Sequence, residues 1–162
     1  MALKVELKPG ERIIIGDCVI TNSDQRTRFL VEGTAPVLRE KAIMTPERAD
    51  TPAKCIYLAV QMMYLSNNPR SYHEAYFKLV REIMEAAPST WPYIEGINNQ
   101  ILTGNTYKAL KEADKLIRYE GELLAYAKCS SDLRKRGKPN SKPAQAGSGP
   151  AAQGRIAAAE RS

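Results

Sequence analysis

The chain has 162 residues, 43% of them apolar and 26% charged, with a formal charge of +6. That length allows one domain with a real core, or a small β unit joined to a helical one, and the negative mean hydropathy is that of an ordinary globular chain rather than a membrane protein. No apolar run approaches the roughly 20 residues of a membrane span, and Met1-Ala2-Leu3-Lys4-Val5-Glu6 lacks the successive regions of a secretory signal, so a cytoplasmic location is expected.

The first 36 residues are a run of short period-2 segments separated by turn residues. Leu3-Lys4-Val5-Glu6-Leu7 alternates apolar and charged side chains, as a strand with one buried face does. Lys8-Pro9-Gly10-Glu11 is a turn. Arg12-Ile13-Ile14-Ile15 is consecutive and β-branched, which predicts a strand buried on both faces, and Gly16-Asp17 after it is a hairpin signal. Cys18 to Thr21 makes a third strand, Asn22 to Gln25 a polar turn, and Arg26 to Glu32 a fourth strand. Val37-Leu38 is a candidate fifth.

Helical signals follow. Thr51-Pro52 has the form of an N-cap with proline at the first helical position, and Ile56, Ala59, Val60 and Met63 recur at helical spacing up to Leu65. Ser71 and Glu74 match a capping box ahead of the stripe Tyr76, Leu79, Val80 and Ile83. A weaker helix spans Ser89 to Leu102, and a long amphipathic one runs from Thr106 to about Lys128, with Gly121 inside it marking close packing or a bend.

The expected fold is therefore α+β. An N-terminal antiparallel β meander of four to five short strands occupies residues 1–44, a bundle of three to four α-helices packed on it occupies 45–129, and a disordered basic tail occupies 130–162. Unpaired edges of so small a meander leave room for a homodimer.

No catalytic constellation is found. The single histidine, His73, sits at a helix start without a nucleophile partner, and Cys18, Cys55 and Cys129 are too widely spaced for a metal or redox motif. Phosphate-loop, dinucleotide and zinc signatures are missing, so no metal or cofactor is expected and an enzyme is disfavoured. What remains is binding. From Ser130 onward seven bases face two acids, a net +5, which leaves +1 for residues 1–129. A polyanion-binding face must then be a local patch. Lys4, Lys8, Arg12, Arg26, Arg28, Arg39 and Lys41 concentrate in the β unit, where same-face neighbours about 7 Å apart approach phosphate spacing. Composition alone weighs toward ordinary solvent-facing charges, partly balanced by Glu6, Glu11 and Glu32. A second candidate surface is the aromatic pair Trp91 and Tyr93, whose composition suits a protein anchor and equally a core.

Two resemblances bear on that choice. Gly10-Glu11-Arg12-Ile13-Ile14-Ile15-Gly16-Asp17, with Ala35-Pro36 later, resembles the start of the carbon storage regulator family, small bacterial β proteins that bind leader RNA. Leu7 stands where that family's first-strand basic pair has one member, leaving Lys8 alone. Residues 1 to about 129, including LKVELKPGERIIIGDCVITN and FLVEGTAPVLREKAIMTPERADTPAKCIYLAVQMMYL, resemble the flagellum biosynthesis repressor FlbT family. That resemblance implies a post-transcriptional repressor that associates with the leader of flagellin mRNA, together with a small helical partner, FlaF. The alternative is a protein-interaction module that docks a flagellar regulator or flagellin through its helices, without direct RNA binding.

Overall fold

The computed structural model describes residues 2–136. Five strands come first: β1 (Ala2–Leu7), β2 (Arg12–Ile15), β3 (Cys18–Thr21), β4 (Thr27–Glu32) and β5 (Val37–Arg39). Short 3-10 turns at Glu40–Ala42 and Pro46–Arg48 lead into four helices, α1 (Pro52–Leu65), α2 (His73–Ala86), α3 (Trp91–Leu102) and α4 (Thr106–Arg136). The expectation of antiparallel strands followed by helices is borne out. Of the tail expected from Ser130, residues 130–136 continue α4, and residues 137–162 lie outside the described residues.

The strands do not pair in chain order as a plain meander would. β1 pairs with β4 in a two-stranded sheet, and β2 lies between β3 and β5 in a second. Only β2 and β3 form a tight hairpin, with Ile15 opposite Cys18 and Gly16 at φ 57° in the turn, a left-handed angle that glycine adopts without a Cβ clash. Side-chain chemistry at Asn22 separates β1 from β2. Its amide nitrogen donates to the carbonyls of Leu7 (3.1 Å), Lys8 (2.9 Å) and Gln25 (2.7 Å), while Thr27 Oγ1 donates to its oxygen at 3.0 Å. The end of β1, the end of β3 and the start of β4 are thus tied at one residue, and Pro9, lacking an N–H, cannot extend a β1–β2 ladder.

Strand parity divides the interior into two cores. Val5, Leu7 and Ile13 are fully buried between the two sheets, with Ile15, Phe29, Val31 and Val37 packed around them. Ile14 and Leu38, directly opposite each other on β2 and β5, turn the other way into the helical core of Ile56, Val60, Met63, Ile94, Ile97 and Leu116. The three consecutive isoleucines are needed because β2 has a core on each side. Three fully buried side chains cannot offset the ordering entropy of about 40 residues, so the β unit depends on the helices behind it.

The helices are set by local chemistry at their ends. Thr51 Oγ1 accepts from Lys54 N at 3.4 Å, and Glu120 of α4 accepts from Ala53 N at 3.1 Å, placing a carboxylate at the positive end of α1. Buried Gln61 is satisfied twice by the Met44 backbone, donating to its carbonyl at 2.9 Å and accepting from its N–H at 2.7 Å. The expected capping box is not formed. Ser71 Oγ donates to the Asn68 carbonyl at 2.8 Å within a 3-10 turn over Pro69–Tyr72, so α2 starts at His73 without a side-chain cap. At Gly96 an added Cβ would lie 3.3 Å from Glu112, so α3 and α4 approach closely there. Gly121, by contrast, is exposed with nothing within 4 Å of a Cβ position, so it does not mark close packing. Gly121→Ala should raise stability by about 0.5–1 kcal/mol through helix propensity alone, readable as a higher urea midpoint. An unchanged or lower midpoint would mean that this stretch of α4 is not helical in solution.

Candidate nucleic-acid interface

The seven cations expected to form one face fall into four places. Lys4 and Arg28 share the outer face of the β1–β4 sheet, where Glu6 stands opposite Arg28 in the ladder. Arg26, just ahead of β4, joins them: Glu6 takes Arg28 Nε at 3.0 Å and Arg26 Nη1 at 3.3 Å, one carboxylate for two guanidiniums. Lys8 is exposed in the turn after β1, its backbone N–H donating to Glu11 Oε2 at 2.8 Å. Arg12, which follows the same turn at the start of β2, belongs to a structural contact. Its backbone N–H donates to Glu40 Oε2 at 2.6 Å and its guanidinium reaches Glu40 Oε1 at 3.4 Å, which fixes the turn after β5. The hydrogen bonds from Arg12, side chain then backbone, hold the Glu40 carboxyl below the usual carboxylate range.

Arg39 and Lys41 lie elsewhere, on the seam between strands and helices. Arg39 Nη2 makes only a long 3.5 Å contact to the Lys4 carbonyl. Lys41 borders two adjoining depressions of about 500 and 620 Å³ that share Leu38, Lys41, Ala42 and Tyr107. The smaller is walled by Lys111, Lys115 and Arg118 of α4, the larger by Leu3, Val31, Val37 and Tyr64. Within the smaller one Arg118 is held by Asp114 (2.6 Å) and Lys115 by Glu112 (2.8 Å). Among the described residues no carboxylate lies within ion-pair distance of Lys41 or Lys111. Burial, then the Asp114 carboxylate and Tyr107, push the Tyr57 phenol up to about 12, and it remains a donor to the Ala42 carbonyl at 2.7 Å.

The α4 cations were not among the sequence candidates. Their signal was present in the i, i+4, i+7 spacing of Lys111, Lys115 and Arg118, with Tyr107 one turn before Lys111. Alternating charge along a helix reads as a solvated face until the opposing wall is known. The aromatic pair divides as well: Trp91 is 50% exposed, while Tyr93 stacks on Tyr119 of α4 with ring centres 4.8 Å apart.

Elsewhere His73 is half-buried and edge-on to Phe77 at 6.3 Å, and Cys55 Sγ donates to the Ala49 carbonyl at 3.3 Å. Among the described residues no group of histidine, cysteine and acidic side chains could hold a metal, and no helix is long and apolar enough to cross a membrane. The β1–β4 sheet face and the strand–helix seam are both open, and guanidinium forks and lysine ammoniums near aromatic rings suit phosphates and bases.

Comparison with known proteins defines the family. The family model described as "Flagellar protein FlbT" matches residues 3–124, most of the chain and none of the basic tail. The chain is 62% identical over 124 residues to the probable flagellum biosynthesis repressor protein FlbT 1 of Bradyrhizobium diazoefficiens, a span of 76% of this chain and 85% of that protein. It is 57% identical over 125 residues to the corresponding protein of Rhodopseudomonas palustris (77% and 99%), and 36% identical over 129 residues to the flagellum biosynthesis repressor protein FlbT of Caulobacter vibrioides (78% and 92%). No solved structure matches. The chain belongs to the FlbT family of flagellar proteins, regulators of flagellum synthesis.

Proposed function

We propose that this regulator acts after transcription, in the cytoplasm, as a non-catalytic repressor that binds the leader region of flagellin mRNA and promotes its decay or limits its translation. The observation that carries the reading is the Arg26–Glu6–Arg28 arrangement beside Lys4. A single carboxylate holds two exposed guanidiniums side by side on an open sheet face, and exposed ion pairs of this kind contribute little to stability. Exchange of Glu6 for phosphate oxygens therefore costs little, and the two guanidiniums are already gathered to receive them.

Binding of labelled leader RNA across a salt series tests this. Arg26→Gln with Arg28→Gln should weaken binding and flatten the log–log salt slope by about 0.7 for each phosphate that is no longer neutralised. Glu6→Gln should strengthen binding, a result that a purely structural ion pair does not give. Native affinity and slope in both the double arginine variant and Glu6→Gln would count decisively against the face.

A specific feature also favours protein partnership, which we propose alongside RNA binding. Past Ile117 no described side chain of α4 is fully buried, and Leu124 and Tyr126 are exposed there. This projecting stretch suits a helical partner of the FlaF type. If purified protein alone fails to shift leader RNA in competition with tRNA, yet shifts it with such a partner added, the direct interface is replaced by an indirect one.

A further inference from the structure

Beyond the sheet face, the geometry points to the trough between β5 and α4 as a subsite for one unstacked nucleotide of single-stranded RNA, with its base against Tyr107 and its flanking phosphates on Lys41 and Lys111. The inference rests on the RNA reading above and assigns it a second, chemically distinct contact.

The trough is amphipathic in the way a nucleotide is. Its larger depression has an apolar wall of Leu3, Val31, Val37 and Tyr64 with Arg39 also in its lining, and the smaller one carries the α4 cations. The two adjoin, sharing Leu38, Lys41, Ala42 and Tyr107 in their linings, so neighbouring parts of one strand can meet both. Tyr107 is 49% exposed, and its orientation is already set. One side of the ring leans on Tyr64, with centres 5.7 Å apart at 46°, and Lys111 Nζ lies 5.0 Å over the ring. A ring held this way loses little freedom when a base stacks on it; the base takes the place of the Lys111 ammonium over the ring, and the flexible lysine swings to the adjoining phosphate. Tyr64 is fixed in turn, accepting from Val37 N at 3.1 Å and donating to Val37 O at 3.3 Å.

Charge supports an anion in this position. Asp114 and Glu112 are each engaged with a neighbouring cation, which leaves Lys41 and Lys111 facing the opening without a carboxylate within ion-pair distance among the described residues. A purely acidic peptide segment would use the cations and leave the tyrosine-walled depression unfilled. A nucleotide occupies both.

The test uses the full chain, a short labelled oligouridylate, and uridine monophosphate as a competitor. Lys41→Gln with Lys111→Gln should flatten the salt slope by about 1.4, the equivalent of two single-strand phosphates. Tyr107→Ala should weaken binding roughly tenfold without changing the slope, and Tyr107→Phe should bind as the native chain does. All these positions are exposed, so the variants should fold, and thermal melts check that they do. The monophosphate should compete far more weakly than the oligonucleotide. Native binding in the lysine pair and in Tyr107→Ala would overturn the subsite while leaving RNA recognition intact, provided the Arg26 and Arg28 variants still lose affinity. Competition by the monophosphate at parity would overturn it in favour of a free-nucleotide pocket. If the native chain bound neither oligouridylate nor leader RNA, the subsite and the RNA reading would fall together.

Discussion

Leu38→Ala is expected to lower the stability of the whole chain by about 2–5 kcal/mol, the range for a buried leucine whose cavity only partly collapses. Leu38 is 1% exposed and sits opposite Ile14, the two forming the patch through which the strands enter the helical core. The loss should therefore be shared. Far-UV circular dichroism and the fluorescence of Trp91, which lies in the helical part, should report the same lowered urea midpoint, because neither unit stands without the other. A destabilisation below about 0.5 kcal/mol, or separate transitions for the two probes, would mean that the seam is not a shared core.

Asn22→Asp should be nearly as damaging, although Asn22 is only half-buried and distant from the helical core. The amide group donates to three backbone carbonyls, and a carboxylate cannot donate to any of them. The two amide hydrogens are shared among the three carbonyls; at roughly 1 kcal/mol for each hydrogen, with repulsion between the new charge and three carbonyl oxygens added, a loss of about 3 kcal/mol is expected at neutral pH. The pH dependence gives the sign. The introduced carboxyl would have its folded-state pKa raised by those carbonyls, so the variant should recover stability as pH falls through that value and the group becomes a donor. Asn22→Ala should cost about 1–3 kcal/mol with no such recovery. An Asp variant no less stable than the Ala variant across the pH range would remove Asn22 from its place as the tie between three chain segments.

These two residues mark how far the sequence could be read. Elements were legible wherever one residue type forces a local result: period-2 alternation in β1, the Gly16-Asp17 hairpin, and Thr51-Pro52 at the start of α1. The two-sided burial of Ile13 to Ile15 was legible for the same reason. Strand order was not, because it depends on where a single amide group finds its carbonyls, an interaction that leaves no periodic trace. Nor was the start of α2. Ser71 and Glu74 have capping-box spacing, but Pro69 begins a 3-10 turn and the Asn68 carbonyl captures the serine hydroxyl. The trough was the least visible feature. Lys41, Tyr64 and Lys111 come from three elements far apart in the chain, and nothing at any one of them indicates the other two.

The divided strand β2 also bears on how the protein is made. Its Ile13 face can be covered as soon as β1, β4 and β5 exist, but its Ile14 face needs α1 and α4, whose residues Ala109 to Leu116 are synthesised last among the core. At about 5–20 residues per second, the ribosome takes several seconds or more to travel from Leu38 to that segment. During that interval the nascent strands show an uncovered apolar side and unpaired edges, including the exposed Val19 and Ile20 of β3. The sheet made first is finished by the helix made last, so any factor that slows translation between them lengthens the period in which the chain is prone to aggregate.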